Sequence, residues 1–162
     1  MAQVDYFLDI DGIDGESKDD VHGDEIEVLS WSWGETNSGA GGFGSGAGTG
    51  KVAMQDFHFV MRFGKASPKL ALACACGSPF KNAKLTCRKA GDKPMEYLTI
   101  TFNDVLISSF QTGGSESGDV YPTDQISFNY TKIAMEFKVQ KEDGSAGDAI
   151  KMGYDVKANK KA

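Results

Sequence analysis

Histidine, proline and cysteine are scarce in this chain, and no apolar run is long enough to cross a bilayer. The 162 residues include 2 histidines, 4 prolines and 3 cysteines. An odd number of cysteines argues against a disulfide framework, and neither histidine is spaced from a cysteine as a metal ligand. We therefore expect no disulfide, no metal site and no membrane insertion. Cys74, Cys76 and Cys87 are expected to be small buried residues.

Basic residues are also in short supply. Lysine and arginine number 17 against 23 aspartates and glutamates, which gives a net charge of -6. Binding to a phosphate backbone needs clustered positive charge, so nucleic acid is a poor partner for this chain. The N-terminal stretch MAQVDYFLDIDG has no basic region, so we expect no signal peptide and folding in the cytoplasm. Any export must then use a route that ignores N-terminal signals.

The familiar catalytic and ligand-binding motifs are absent or broken. No GxSxG or HExxH occurs. The glycine stretch ending in Gly50-Lys51 has Ser45 where a P-loop needs its first glycine, and Val52 where it needs a hydroxyl. The acidic turn at 9–20 fails the calcium-loop pattern, because Ile13 stands where an Asx ligand is required. We predict no enzyme and no cofactor, and an enzyme with an unrecognised centre stays an alternative.

What is present is mostly strand pattern. Apolar and polar residues alternate in many segments, which indicates half-buried strands. The phase of the alternation slips at Thr131-Lys132, as at a bulge or a barrel corner. One helix is predicted over SPKLALACACG, with Ser67 as N-cap, Pro68 in the first turn and Gly77 as C-terminal cap. The predicted strands are 4–10, 25–33, 52–63, 83–89, 95–103, 105–112, 125–140 and a short closing strand within 153–162.

This arrangement predicts a single domain over residues 1–162. Many strands, one short helix and long glycine loops favour a mainly β fold, either a β-barrel or a sandwich. In the strand EIEVLSWSW we expect Leu29, Trp31 and Trp33 to share one face, so that Ser30 and Ser32 face outward. A sugar-binding sandwich is an alternative if the two indoles are exposed, but their alternation with serine favours burial.

The longest glycine-rich stretch, between the tryptophan strand and the next one, is predicted to be a deformable arm. It matches GxGxxG at Gly39, Gly41 and Gly44, but no helix follows, so a dinucleotide site is not supported. Glycine makes such a segment cheap to deform, and an isolated phenylalanine in it suits docking onto another protein. A segment without any role is the alternative. The residues of the predicted arm are Gly39, Gly41, Gly42, Phe43, Gly44, Gly46, Gly48 and Gly50.

Several of these stretches together resemble one family over nearly the whole chain. GESKDDVHGDEIEVLSWSWG, KAGDKPMEYLTITFNDVLISSFQTGGS, PTDQISFNYTKIAMEFKVQKEDG and GYDVKANKK are similar to the haemolysin-coregulated proteins (Hcp), the tube subunits of bacterial type VI secretion systems. The glycine-rich loop also falls at that family's usual place.

The resemblance implies a compact β-barrel of two packed sheets with a helix outside. It implies a homohexameric ring, rings that stack into a tube inside a contractile sheath, and a VgrG-type spike at the tip. Contraction would export the tube into a neighbouring cell with small effector proteins in its pore, a virulence function. It places Ser32 on the pore wall, with Ser30 facing outward on the same strand face, although Ser32 as a plain solvated strand residue stays an alternative. It makes the glycine arm a contact between subunits or rings. The alternative function is a chaperone or receptor ring that holds effectors without forming tubes.

Overall fold

The computed structural model describes residues 4–37 and 52–162, and the fold is mainly β with one short helix. The strands are β1 (Val4–Ile10), β2 (Ile26–Glu27), β3 (Ser30–Ser32), β4 (Glu35–Asn37), β5 (Val52–Met54), β6 (Phe57–Arg62), β7 (Pro79–Lys89), β8 (Met95–Gly113), β9 (Thr123–Asn129), β10 (Lys132–Gln140), β11 (Ala146–Asp155) and β12 (Lys160–Lys161). The helix α1 (Ser67–Cys76) lies between β6 and β7.

Strand β8 organises the main sheet. It pairs antiparallel with β7 and β10 over its first part and with β9 over its last part. One branch of the sheet continues from β8 through β7 and β1 to β2, a second through β10 and β11 to β12, and a third through β9 and β6 to β3. Strands β4 and β5 pair with each other and form a second sheet of two strands. The ladder of strand pairs among the described residues does not close into a full ring, so the predicted barrel is a loose one.

The core lies between these branches and is rich in phenylalanine. The rings of Phe57, Phe59, Phe102 and Phe128 are fully buried, and Phe57 lies 5.0 Å from Phe102 and 5.1 Å from Phe128 between ring centroids. Aromatic pairs at this spacing contribute beyond their buried area. This cluster fixes which face of β6, β8 and β9 points inward.

The predicted strand at 25–33 is in fact two strands, because the chain changes neighbours within it. The amide of Val28 donates to β1, whereas the amide of Leu29 donates to β6. The alternation slips at this crossing, so Ile26 and Val28 are buried while Leu29 is 46% exposed. The expectation that Leu29 would share the inward face of the tryptophans was therefore wrong.

Other strand boundaries also differ from the prediction. The segment 52–63 is divided into β5 and β6, and Phe63 lies beyond the strand, 39% exposed. The two strands predicted at 95–103 and 105–112 are one strand of 19 residues, β8. The residue between them, Asp104, has a φ of 51 and marks the place where β8 changes partners.

The helix matches the prediction at its end and differs at its start. Gly77 caps the C-terminus with a φ of 65 and an amide bond to the carbonyl of Ala73, as predicted. The N-cap is Ala66 rather than Ser67, and it makes no side-chain bond. The hydroxyl of Ser67 is used elsewhere, because it accepts from the amide of Gly64 at 2.9 Å and donates to the buried Asp124 at 2.5 Å.

The three thiols are unpaired and not equally buried. Cys87 is buried in β7, Cys74 is half-buried and Cys76 is exposed near the end of α1. Burial raises the pKa of the Cys87 thiol to about 12. The expectation of burial was wrong for Cys76, because the side of α1 that is buried carries Ser67, Leu70 and Ala73.

Candidate functional site

Ser30 and Ser32 lie on the outward side of β3, where the sequence pattern placed them. Both are exposed, and Trp31 between them is half-buried. The indole of Trp31 stacks on Phe57 with ring centroids 6.0 Å apart. Because neighbouring residues of a strand point to opposite faces, the contact between Trp31 and the core turns both serines away from it.

Ser32 belongs to a polar row that crosses four strands, and Ser30 lies in the neighbouring row, with Val60, Gln125 and Gln111. Ser32 is paired with His58, His58 with Ser127 and Ser127 with Ser109. Nδ1 of His58 lies 3.0 Å from Oγ of Ser127. Directly paired residues share a face of the sheet, so this row is contiguous. We call the two rows together the polar face, and its residues are Ser30, Ser32, His58, Ser109, Gln111, Gln125 and Ser127.

The polar face offers hydrogen-bonding groups of small size. Its hydroxyls and amides both donate and accept, and the half-buried Val60, paired with Ser30, is its apolar member. Such a surface suits reversible contacts with the backbone and polar side chains of a protein. Sequence reasoning found Ser30 and Ser32 but not the rest of the polar face, because the pairing partners come from β6, β8 and β9, and the register of strands far apart in the chain is set by the folded core.

The second tryptophan is anchored by a hydrogen bond from the far end of the chain. Nε1 of Trp33 donates to the hydroxyl of Tyr130 at 2.5 Å, and that hydroxyl donates to the carbonyl of Gln55 at 2.9 Å. Tyr130 is 8% exposed, and burial raises its pKa. Both indoles therefore pack against the core, as their alternation with serine indicates. This removes the reason for the sugar-binding alternative, which required exposed indoles.

The predicted glycine arm lies outside the described residues. This applies to all of its predicted members, which are Gly39, Gly41, Gly42, Phe43, Gly44, Gly46, Gly48 and Gly50. The strands on either side of it are described. Glu35 of β4 pairs with Met54 of β5, and Asn37 pairs with Val52. The predicted role of the arm stays a prediction.

A surface that sequence reasoning missed lies on the hairpin of β10 and β11. In this hairpin Phe137 is paired with Ile150 and Met135 with Met152, so their side chains share one face. We call this the apolar hairpin face, and its members are Met135, Phe137, Val139, Ile150 and Met152. Phe137 is 43%, Val139 47%, Ile150 64% and Met152 37% exposed. The alternation in the sequence predicted an apolar face correctly, but only the fold reveals that its outer part is uncovered.

Within residues 4–37 and 52–162, histidine, cysteine and acidic side chains nowhere gather in threes around a common point that could hold a metal ion. In the acidic turn, Asp19 is instead paired with Arg88 at 2.6 Å. Of the part of the chain that the structure describes, α1 included, no helix has the length and apolarity to cross a membrane.

The fold and its surfaces define a small mainly β protein that offers one polar and one apolar sheet face and, among its described residues, no metal cluster. The sequence model of the family described as "Type VI secretion system effector, Hcp" matches residues 7–137. Protein hcp1 of Pseudomonas aeruginosa is 48% identical over 161 residues, which cover 98% of this chain and 99% of that protein. The chain belongs to the Hcp family of type VI secretion proteins.

Solved structures agree with this assignment. The crystal structure of Hcp1 from Salmonella typhimurium is similar with a TM-score of 0.82 and 37% sequence identity, covering 99% of this chain and 100% of the other. A structure described as a type six secretion system protein reaches a TM-score of 0.90 at 34% identity, covering 98% and 99% of the two chains. The expected family and fold class are therefore confirmed.

Proposed function

We propose that this chain is a structural subunit of the inner tube of a type VI secretion system. Six copies form a ring, and rings stack into a tube. The tube is assembled in the cytoplasm inside a contractile sheath, carries a VgrG-type spike, and leaves the cell when the sheath contracts. Support comes from family membership over nearly the full length of relatives such as hcp1 of Pseudomonas aeruginosa. This role needs neither a cofactor nor a catalytic centre.

The observation that carries self-assembly is the apolar hairpin face. Its exposed side chains continue outward from the core at Ile133, which is buried, to Phe137 and Ile150. A contiguous apolar patch at the surface of a small protein marks a site of protein contact. A neighbouring copy that covers Phe137 and Ile150 would gain about 25 cal/mol for each Å² of apolar surface removed from water.

The polar face supports the second part of the proposal, the holding of small effector proteins. If the face that bears Ser30 and Ser32 lines the pore of the ring, it presents short side chains that leave room for cargo. Contacts made by serine and glutamine are individually weak, about 0.5–1.5 kcal/mol each. Weak contacts suit a cargo that is held during export and released afterwards.

The glycine arm completes the proposal. Residues 38–51 would contact a neighbouring subunit or the next ring, with Phe43 as an apolar anchor. Ordering a glycine-rich segment costs about 1 kcal/mol or more for each residue, so the contact between rings would be weak. A weak contact suits a tube that must form and then come apart.

Light scattering on the purified chain tests assembly directly. A mass of six times the 17.4 kDa of one chain supports the ring, and electron microscopy then reveals whether rings stack. A stable monomer at high concentration would contradict self-assembly. The alternative function, an effector-holding ring without tubes, predicts rings that protect an effector from proteolysis while no tubes form with the sheath and spike present.

The cargo part of the proposal is tested by Ser32→Gln. The longer amide fills the space above the polar face, so we expect retention of a co-expressed small effector to fall about tenfold, the result of losing about 1.4 kcal/mol of binding free energy. The ring mass should not change. Ser117→Gln, at an exposed serine in the loop before β9, is the matched control. Unchanged retention in a pull-down with Ser32→Gln rejects the cargo role of Ser32.

A further inference from the structure

The ring of His22 is held between two carboxylates. Its Nδ1 lies 2.6 Å from Oε2 of Glu25, and its Nε2 lies 2.6 Å from Oε1 of Glu96. Glu25 belongs to the same loop, whereas Glu96 comes from β8. His22 is 8% exposed, and its ring stacks on Phe7 of β1, with ring centroids 4.6 Å apart. This contact therefore joins the loop before β2 to two strands of the main sheet.

With both carboxyl groups ionised, the geometry of this contact favours two protons on the ring. A neutral imidazole has one N–H and one acceptor nitrogen, whereas an ionised carboxylate only accepts. With carboxylates at both nitrogens, a neutral ring would set a lone pair against a carboxylate oxygen at 2.6 Å. The imidazolium form donates to both partners, and such charge-assisted hydrogen bonds are about twice as strong as neutral ones.

Three other charged groups around this contact, Arg88, Asp5 and Asp19, are paired with one another. The guanidinium of Arg88 from β7 lies 4.9 Å from the centre of the Phe7 ring and donates to Asp19 and Asp5. Asp19 also accepts from the amide of His22 at 3.0 Å. The carboxylate of Asp9 acts on Glu25 through space.

We infer that His22 is a proton-dependent latch, which fixes the part of the loop around His22 against β1 and β8 while its ring is protonated and releases that part when the proton is lost. The step is a simple acid–base equilibrium in which the proton leaves Nδ1 or Nε2 for water. One of the two carboxylate contacts then becomes repulsive. Because Glu96 is the partner outside the loop, its bond is the one whose loss frees the loop from β8.

The electrostatics agree with this geometry. Burial by itself would lower the pKa of His22, but the hydrogen bonds to Glu96 and Glu25 outweigh burial and raise it. Burial raises the pKa of Glu25, although its bond to His22 acts in the opposite direction. The pKa of His22 in the folded protein is higher than the ordinary value of 6.5. The latch therefore contributes its full stabilisation below pH 6.5. Its contribution is lost as the pH rises through the higher pKa of the folded protein.

Release affects part of the loop only. Backbone bonds hold its base, from the amide of Gly15 to the carbonyl of Asp24 at 2.7 Å and from the amide of Asp24 to the carbonyl of Ser17 at 2.9 Å. The pair of Arg88 and Asp19 also remains. The loop forms one wall of a cavity of about 260 Å³ that is shared with Leu29 and Phe63. The residues of the loop that line this cavity, Gly15 to Ser17, belong to its base. Opening of the latch therefore frees the part of the loop around His22 without unfolding the sheet.

Histidine NMR on the full chain tests the latch. The chain has 2 histidines, and His58→Gln assigns the two signals and serves as the matched control. We expect His22 to titrate above 6.5, and Glu96→Gln to lower that value by about one pH unit, because the neutral amide removes one opposite charge and can donate to a neutral ring. A His22 signal that titrates at or below 6.5, or that does not move in Glu96→Gln, overturns the latch.

Amide exchange reports release of the loop itself. The amide of Glu25 donates to the carbonyl of His22 at 3.4 Å, so it reports displacement of His22. After correction for the intrinsic rate, its protection should fall by up to about tenfold for each pH unit above the pKa of His22. His58→Gln should behave like the unmodified chain. In His22→Gln, protection should be low at every pH, because glutamine cannot carry the charge. Equal protection at all pH values in the unmodified chain would contradict the proposal, whatever the stability of the variants.

Discussion

Gly15 occupies a position where the loop before β2 leaves no room for a side chain. A Cβ atom there would lie 2.4 Å from the carbonyl oxygen of Glu25 and 2.6 Å from the amide nitrogen of Ile26. Both atoms belong to the backbone, so a rotamer change cannot relieve the overlap. At this scale the sequence alone could not have shown the constraint, and it could not have paired His22 with Glu96, because these two residues are 74 positions apart.

For this reason we expect Gly15→Ala to lower the free energy of unfolding by about 1–3 kcal/mol, the usual cost of forcing extra atoms into a packed place. Gly113→Ala is the control, because a Cβ there has no atom within 4 Å and no positive φ opposes it. Urea unfolding of both variants gives the comparison, with the slope expected to be unchanged. Equal stability of the two variants would contradict the close approach of the loop to Glu25.

At the scale of elements, the sequence predicts types well and boundaries poorly. The helix and its cap at Gly77 follow from local patterns that the fold leaves intact. The breaks in 25–33 and 52–63 do not, because they arise where a strand leaves one neighbour for another. The strand predicted at 125–140, with a bulge or corner at Thr131, is likewise two strands, β9 and β10. The slip at Thr131 has the same origin, since β9 pairs with the last part of β8 and β10 with its first part. Partner exchange depends on strands that are distant in the chain, so a local pattern records it only as a change of phase.

Substitutions at the C-terminal cap of α1 test a feature that the local sequence does predict. Gly77 has a φ of 65, and no atom lies within 4 Å of an added Cβ, so backbone strain is the sole cost of a substitution there. We expect Gly77→Ala to lower the free energy of unfolding by about 1–2 kcal/mol. Gly77→Asn should cost less, since asparagine adopts this conformation more readily. Thermal unfolding of both variants measures the order, and an asparagine variant weaker than the alanine variant would contradict it.

At the scale of the whole molecule, the two sheet faces have different proposed roles. The polar face carries hydroxyls and amides and suits cargo, whereas the apolar hairpin face suits a permanent neighbour. Sequence alternation predicted the serines of the first face and the apolar character of the second. It could not show which apolar side chains are buried in the core, because their burial depends on how the strands assemble into the sheet. The outer part of the hairpin, beyond the buried Ile133, extends past the core, which is why Ile150 is 64% exposed.

Ile150→Asp tests whether that hairpin face joins subunits. A carboxylate placed in an apolar contact loses its hydration without gaining a partner, so we expect the dissociation constant between subunits to rise about tenfold or more, equivalent to at least about 1.4 kcal/mol. Light scattering across a dilution series should then give a lower mass at each concentration. Ala149→Asp is the matched control, because Ala149 is the exposed neighbour of Ile150 on the opposite face of β11. A fall in mass with Ala149→Asp alone would assign the contact to the charged face of the hairpin, where Glu136 and Lys151 are paired.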